Sequence, residues 1–530
     1  MENKPTSLYK QALHWIVVGL LVFIPLYPKL PLFDIAFSWT YIRVEDVLVA
    51  VSYIVLIVCL LLRKVSIRNF LMKPIVLFWI IGLLSTIVAL LTLGSQDNWA
   101  IFKPHLIVLN YLRRIEYLGV LFLAVAAFSD RKGIKRAVIA LVIGMIGVII
   151  YGFGQKYGGF CSYLTMNEEF AKGTCISLQP GTRLSSTFGG HYDLAGYLVF
   201  VLPIIAGMIF ATRSLFLKIL LGTVTLFGFF MLLLTSSRIS FPALLIALGM
   251  IIVMNVKNKK YLFAGSVLVV ILTLVFGRTT IVDRLGKTLR VNQVTVDNKT
   301  GRILEQPTTH KDWAGLPESD RAIVLPFLPE TATPSAFIVT KRQKGIKEEL
   351  SPSSESGVIR NTVEVPQAST KEQSDSDKKE IIEEVRVVKG DYSLRYALVF
   401  DISFTTRFDG EWPVAFAAFK SHPILGQGYS TVTSAVDSSY IRALAEVGVV
   451  GFISFFAILI IFLKRAYEYV GRAQDRLYKL YVAGVASGVT GLLVNALLID
   501  IFEASKVAFV MWICIGIAVW IMERGEKLEG

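Results

Sequence analysis

Cysteine and histidine are scarce in this chain, with four and five residues among 530. The histidines stand singly and never pair with cysteine or carboxylate at helical intervals, so no metal-ligand spacing exists and no metal or other cofactor is expected. A signal-peptide cleavage site is missing too. The N-terminus has a charged start and an apolar run, but LYPKLPLF follows instead of small residues, so the first helix reads as uncleaved. No internal repeat occurs, which leaves the inverted repeats of many transporters without support. Aromatic residues nearly vanish from KEELSPSSESGVIRNTVEVPQASTKEQSDSDKKE. Its Ser, Glu, Lys and Pro cannot bury enough surface to fold.

Apolar sequence, by contrast, is abundant: 54% of residues are hydrophobic and the mean hydropathy is +0.60. A soluble domain must keep its exposed face polar, whereas lipid accepts such a surface, so the class is membrane protein. The formal net charge of +14 first suggests nucleic acid. The basic residues instead bunch at the ends of apolar runs, where they orient helices. No nucleic-acid partner is expected.

Runs long enough to cross a bilayer lie near 13–29, 46–62, 73–93, 115–129, 136–156, 192–211, 215–235, 239–256, 261–277, 442–463, 479–499 and 506–522. The expected fold is an all-α integral membrane protein of about 12 transmembrane helices. Alternate connections carry the cations: Arg63, Lys64, Arg68 and Lys73; Arg131, Lys132, Lys135 and Arg136; Arg213 and Lys218; Lys257, Lys259 and Lys260; Lys464, Arg465, Arg472, Arg476 and Lys479. Placing these inside puts both termini in the cytoplasm. Residues 1–277 then hold spans 1 to 9, and 431–530 hold spans 10 to 12. Between them, 278–430 forms a large extracytoplasmic loop with a disordered insert at about 340–385. Amphipathic helices are expected on the outer membrane face at about 392–420.

Cys59 and Cys514 lie inside apolar runs and read as core residues. Cys161 and Cys175 flank the polar stretch TMNEEFAKGT, placed outside, and could close a disulfide there.

On this topology the fourth, sixth, eighth and tenth spans start at the outer surface, and helix N-termini favour anions. The fourth opens with YLRRIEYLGV, where Arg113 and Arg114 are either snorkelling anchors with Glu116 as partner or a phosphate clamp. The sixth opens with RLSSTFGGHYDLAGYL. Arg183, two glycines, His191 and Asp193 make either a capped turn, with Asp193 or Ser186 as cap, or a ligand cradle. The eighth opens with TSSRISFPALLIALG. Ser236 or Ser237 can cap it, Pro242 suits a helix start, and Arg238 would present a guanidinium fork that matches phosphate. The tenth follows SHPILGQGYSTVTSAVDSSYIRALAEVGVVGF. His422-Pro423 with Gly426 and Gly428 makes a turn, Asp437 is a helix cap or a working carboxylate, and Glu446 suits a structural partner.

At these residues the chain resembles the O-antigen ligase and O-antigen polymerase family (the WaaL/Wzy type). The likeness lies in Ser237-Arg238, in HPILGQG, in DSSYIRALAEVGVVG and in RLSSTFGGHYDLAGYL, within about 110–500. The resemblance implies a GT-C-like, metal-independent, inverting membrane glycosyltransferase. Its partners would be an undecaprenyl-diphosphate-linked glycan, an acceptor glycan or glycolipid, membrane lipids and other polysaccharide-assembly proteins. The family's arginines would carry over onto Arg238 and Arg183, with Arg114 and Arg113 in support, to hold the diphosphate. Where the family has a histidine near the start of the tenth span, this chain has Asp437, which suits the polymerase branch better than the lipopolysaccharide ligases. The chemistry asks for charge stabilisation on the leaving diphosphate and a base for the acceptor hydroxyl. Arg238 and Asp437 are the catalytic candidates, with His191, His422 and Glu446 as further ones. The expectation is an enzyme that polymerises or ligates lipid-linked surface polysaccharide at the outer face of the bacterial plasma membrane. A lipid-linked oligosaccharide flippase or transporter, or a non-catalytic assembly protein, is the alternative.

Overall fold

The computed structural model describes residues 8–34, 41–95, 104–165, 168–178, 182–255, 289–297, 337–343, 381–387, 392–400, 406–432 and 436–525. The chain divides into two units. One comprises Met1–Leu285 with Ile402–Gly530, and the other Gly286–Asp401.

The first unit is helical. Its main helices are α1 (Leu8–Leu26), α2 (Val44–Leu61), α3 (Met72–Ser95), α4 (Pro104–Ala127), α5 (Arg131–Tyr157), α7 (His191–Ala211), α8 (Leu215–Thr235) and α9 (Ser240–Asn255). After the second unit come α11 (Ser439–Arg472), α12 (Arg476–Asn495) and α13 (Ser505–Trp520). Short pieces complete it: a hairpin of β1 (Pro31–Asp34) and β2 (Tyr41–Arg43), a single turn α6 (Glu168–Ala171), and α10 (Trp412–Ser421).

Among the described residues, nine helices are long and apolar enough to cross a membrane. The protein is therefore a multi-pass membrane protein by length and composition. Two further expected spans are present as helices: α9 is shorter, and α4 carries Arg113, Arg114 and Glu116. The expected ninth span, 261–277, lies outside the described residues.

Burial ranks the helices. α13 is buried along 89% of its apolar stretch and α7 and α12 along 78%, against 28% for α2 and α8. The first three form the centre, and the last two present apolar faces outward, as lipid-facing helices do. α12 packs on α7 and α9, α13 on α4, and α11 on α3. Small residues permit the closest of these approaches. A Cβ on Gly484 of α12 would stand 2.7 Å from Ile204 Cα of α7, and one on Gly488 only 2.4 Å from the Phe200 carbonyl oxygen. Backbones meet here because dispersion, rather than exclusion of water, holds helices together in lipid.

The second unit corrects the expected helix at about 392–420. Tyr392–Phe400 is a strand, β6, paired antiparallel with β3 (Leu289–Asp297) from Leu289↔Phe400 to Asp297↔Tyr392. β4 (Phe337–Gln343) pairs likewise with β5 (Ile381–Val387). Helix begins only with a π-type turn at Thr406–Glu411 that leads into α10. The ends of the expected disordered insert at 340–385 are therefore paired strand, and 344–380 lies outside the described residues.

Candidate functional site

One end of the helical unit gathers the polar side chains singled out above. The start of α13 reaches the end of α1 and the approach to α7 through Lys506. Its ammonium donates to the carbonyls of Thr187 (2.8 Å), Pro25 (3.4 Å) and Tyr27, and it stands 4.8 Å from the Phe188 ring centre. Lys29 bonds Glu45 at 3.0 Å and also donates to Ser505. The opposite end carries a different set of contacts. There Arg131 pairs with Asp475 at 2.9 Å, and Arg136, Lys64 and Arg465 lie over aromatic rings.

Three of the expected residues join one network. Gly190 in extended conformation starts α7, and His191 is its first helical residue. Arg183 Nη1 and His191 Nε2 are 3.0 Å apart. The His191 ring lies 4.0 Å from that of Tyr192, centre to centre. Arg407, from the turn ahead of α10, donates from Nη2 to the Tyr192 hydroxyl at 3.5 Å and to Asp437 Oδ2 at 2.7 Å. Asp437 is held further by its backbone. Its N–H donates to Glu411 Oε2 at 2.7 Å, and its carbonyl accepts from Trp412 Nε1 at 3.0 Å. Burial pushes the Glu411 carboxyl up, against the pull of that Asp437 N–H.

The caps differ from expectation. Ser438, not Asp437, caps α11, accepting from the Ile441 N–H at 3.4 Å. Neither Asp193 nor Ser186 caps α7: Gly190 takes that place, and Ser186 donates to the Val148 carbonyl. Ser236 ends α8 in the left-handed region (φ 59°) instead of opening α9. Asp437 therefore has no capping duty, and its side chain remains one-third exposed.

Arg113 and Arg114 lie elsewhere. The motif was expected at a helix start, but the apolar run HLIVLN extends α4 back to Pro104 and leaves both arginines about two and a half turns inside. Arg113 pairs with Asp46 at 2.6 Å and with Glu116 at 2.9 Å. Arg114 pairs with Glu503 and lies 3.8 Å from Glu446. Glu446 in turn accepts from Arg442 at 3.0 Å and from the Ser430 N–H at 3.0 Å, so it is a buried structural partner. Arg442 also pairs with Asp500. Two guanidiniums here face three carboxylates. Burial, opposed by Arg442 and reinforced by Glu503, pushes the Asp500 carboxyl up to about 7. Burial acts the same way on Glu503, but Arg114 and Arg442 outweigh it and hold that carboxyl below its ordinary value. With Asp500 protonated the cluster is neutral.

The HPILGQG turn packs into a break in α11. Gly448 leaves helical geometry at φ 65°, and the freed groups bond to the turn. Val449 N donates to the Pro423 carbonyl, Gln427 N to that of Ala445 and Gly428 N to that of Glu446, each at 2.9 Å. A Cβ on Gly448 would lie 2.3 Å from the Ile424 carbonyl oxygen. His422 ends α10 at the surface, its Nδ1 3.0 Å from Ser421 Oγ.

Arg238 stands half-buried in the turn between α8 and α9. That turn is fastened by Ser237 Oγ and Ser240 Oγ, 2.6 Å apart, and by Ser240 donating to Asn495 Oδ1 at 3.0 Å. Cys161 and Cys175 form a disulfide. It closes a loop whose Ser162 hydroxyl lies 2.7 Å from that of Ser185, beside Arg183. Cys59 and Cys514 are buried.

No protein-family model matches the chain. No curated protein matches it either.

Sequence reasoning missed Arg407, Tyr192 and Asn495. Arg407 lies inside the stretch expected as an interfacial helix, and its one available signal is a cation on the side that the expected topology puts outside the cytoplasm, the same signal that singles out Arg238.

Proposed function

We propose that this protein is an integral membrane glycosyltransferase of the O-antigen ligase/polymerase kind. It polymerises or ligates undecaprenyl-diphosphate-linked surface polysaccharide at the outer face of a bacterial plasma membrane. The observation that carries the reading is the linked set Arg183, His191, Tyr192, Arg407 and Asp437 at one end of the helical unit. Two guanidiniums and a part-exposed carboxylate from three separate segments are linked there through His191 and Tyr192, groups of the kind that transfer from a lipid diphosphate requires. The clusters of Arg, Lys and aromatic residues at the opposite end fit a cytoplasmic side, by the positive-inside rule.

In this reading Arg183, Arg407 and Arg238 hold the diphosphate. Fixed donors in a water-poor site stabilise the charge that grows on the departing oxygen and need not reorganise as it forms. The acceptor hydroxyl oxygen attacks the anomeric carbon from the face opposite the diphosphate, which inverts that centre. The carbon–oxygen bond to the diphosphate breaks, and its electron pair leaves with the lipid diphosphate. The hydroxyl proton passes to Asp437. Its Oδ2 accepts from Arg407 at 2.7 Å, and a third of the side chain is exposed. Arg113 and Arg114, each already paired with two carboxylates, brace α4 instead of contacting substrate, Arg113 against Asp46 of α2 and Arg114 against Glu503 and Glu446. α10 lays Ala415 and Ala418 on the protein and exposes Val414 and Phe416, the pattern of a helix at a lipid surface beside the site.

The test is to incubate purified protein with a defined undecaprenyl-diphosphate oligosaccharide and size the product. Longer glycan or glycan moved to an acceptor supports the reading, and unchanged substrate overturns it. Arg238→Ala should leave membrane insertion intact and abolish transfer. Asp437→Asn should do the same, and full rate in that variant removes Asp437 from the chemistry.

A further inference from the structure

Two segments that never meet in sequence share one seat. The turn Asn495–Asp500, where α12 ends, receives the α8–α9 turn on one side. Ser240 donates to Asn495 Oδ1 at 3.0 Å, and Ser240 Oγ is itself 2.6 Å from Ser237 Oγ. The same turn receives the start of α11. The Ser439 N–H donates to the carbonyls of Ala496 (3.1 Å) and Ile499 (3.3 Å), and the Ser439 hydroxyl to Asp500 Oδ1 at 3.1 Å. Ser237 immediately precedes Arg238, and Ser438–Ser439 immediately follow Asp437.

Asn495 is the keystone of this seat. It is fully buried, its carbonyl oxygen accepts from Ile499 N–H at 3.1 Å and Leu498 N–H at 3.3 Å, and so it shapes the very turn on which Ser439 docks. Its side-chain oxygen holds the other segment. One residue therefore grips the Arg238 turn by its side chain and the Asp437 seat by its backbone. Its Nδ2 has no hydrogen-bond partner among the described residues. A buried amide with one half unsatisfied is a costly choice for mere packing, because an apolar residue of similar shape would avoid the desolvation penalty.

We propose that Asn495 is a positioning residue that fixes the Arg238 turn and the Asp437 segment relative to one another. Its effect on activity rests on the glycosyl-transfer reading; its mechanical role does not. Misplacing catalytic groups by about 1 Å costs on the order of a hundred-fold in rate, so the coupling matters more than its single hydrogen bond.

The experiment uses the full-length purified protein and compares wild type with Asn495→Leu, Ser240→Ala and Ser240→Thr. Hydrogen–deuterium exchange of the amides in 237–243 and 438–442 reads the mechanical role. Asn495→Leu should speed exchange in both segments. Faster exchange confined to 237–243, or in neither, overturns the proposal. Should Asn495→Leu fail to fold, Ser240→Ala, which removes only the hydroxyl on the other side of the bond, is judged by 237–243, where faster exchange supports the clamp and an unchanged rate overturns it.

Kinetics on an undecaprenyl-diphosphate oligosaccharide read the functional role. Ser240→Ala should lower kcat about ten-fold with KM unchanged, the signature of lost alignment rather than lost binding. Ser240→Thr, which restores the hydroxyl, should recover kcat. Full kcat in Ser240→Ala overturns positioning while the enzyme reading stands. If wild type itself transfers nothing, the enzyme reading falls and the exchange data alone decide the clamp.

Discussion

Arg407 donates from Nη2 to Asp437 Oδ2 across 2.7 Å and so ties the turn ahead of α10 to the residue ahead of α11. Its guanidinium is buried, with 9% of the side chain exposed, and the same nitrogen reaches the Tyr192 hydroxyl at the start of α7. Removing a preorganised donor from a site where charge develops costs about a hundred-fold or more in rate. On the proposed glycosyl transfer, Arg407→Ala should therefore lower the rate by about a hundred-fold, with normal membrane insertion. Arg407→Lys should recover only part of the loss, since an ammonium is a point charge that cannot match a diphosphate bidentately. Initial rates with a lipid-linked oligosaccharide decide this, and a wild-type rate in Arg407→Ala removes Arg407 from the site.

Amphipathic helices are expected over about 392–420, yet Tyr392, Leu394, Tyr396, Leu398 and Phe400 alternate with period two, the pattern of a strand. The strand β6 follows that pattern. Long apolar runs were legible because bilayer thickness sets their length, and eleven of the twelve expected spans are helices among the described residues. The helix starts were less so. Pro104 and the apolar HLIVLN moved the start of α4 well before Arg113, because a short polar side chain inside a helix breaks no rule of periodicity. The glycines of HPILGQG were legible as a turn, but not the break at Gly448 of α11 in which that turn docks. Partnerships across long sequence separations, such as Arg114 with Glu503 or Ser240 with Asn495, leave no local trace.

Lys506 is expected to matter for stability. Its ammonium serves three backbone carbonyls, from α1, from the residue after it and from the approach to α7, and has no carboxylate bonded to it among the described residues. Carbonyls at a helix end favour a cation. Lys506→Met keeps the length of the stem and removes the donors, leaving buried oxygens unsatisfied. Hydrogen bonds to charged groups contribute about 1.5–3 kcal/mol each, so the loss should be at the upper end of single-residue effects. Thermal unfolding in detergent should show a clear drop for Lys506→Met and a smaller one for Lys506→Gln, which retains a donor.

Asp500 sets a pH dependence. Its carboxyl rises in the folded protein from 3.8 to about 7. A folded pKa above the unfolded one means that the native state binds the extra proton. The stabilising contribution is complete below about pH 4 and is lost as pH rises through 7. Glu503 acts in the opposite sense. Held below its ordinary 4.5, it contributes stability above that value and loses it in stronger acid. Between pH 5 and 8 the Asp500 contribution dominates the pair. The wild-type unfolding temperature should therefore fall across that interval more steeply than that of Asp500→Asn, which keeps the shape of the side chain without its titration. Parallel curves for the two proteins would show that Asp500 is already ionised at pH 5.

Gly448 is the position where a single methyl should do the most damage to the seat of the HPILGQG turn. Its φ of 65° lies in the region that side chains avoid, and an added Cβ would stand 2.3 Å from the Ile424 carbonyl oxygen and 2.7 Å from the Gly426 N atom. Both are backbone atoms and cannot swing aside. Left-handed strain alone costs about 1–3 kcal/mol, and the clash adds to it. The relief available is to straighten α11, which would expel the turn and break the bonds from Val449, Gln427 and Gly428. That turn connects α10 to the segment carrying Asp437. Gly448→Ala should thus expose the peptide bonds of 422–428 to proteolysis in folded protein, whereas Gly471→Ala, with open space around its Cβ, should not. Equal resistance of the two variants would mean that the break in α11 tolerates a side chain.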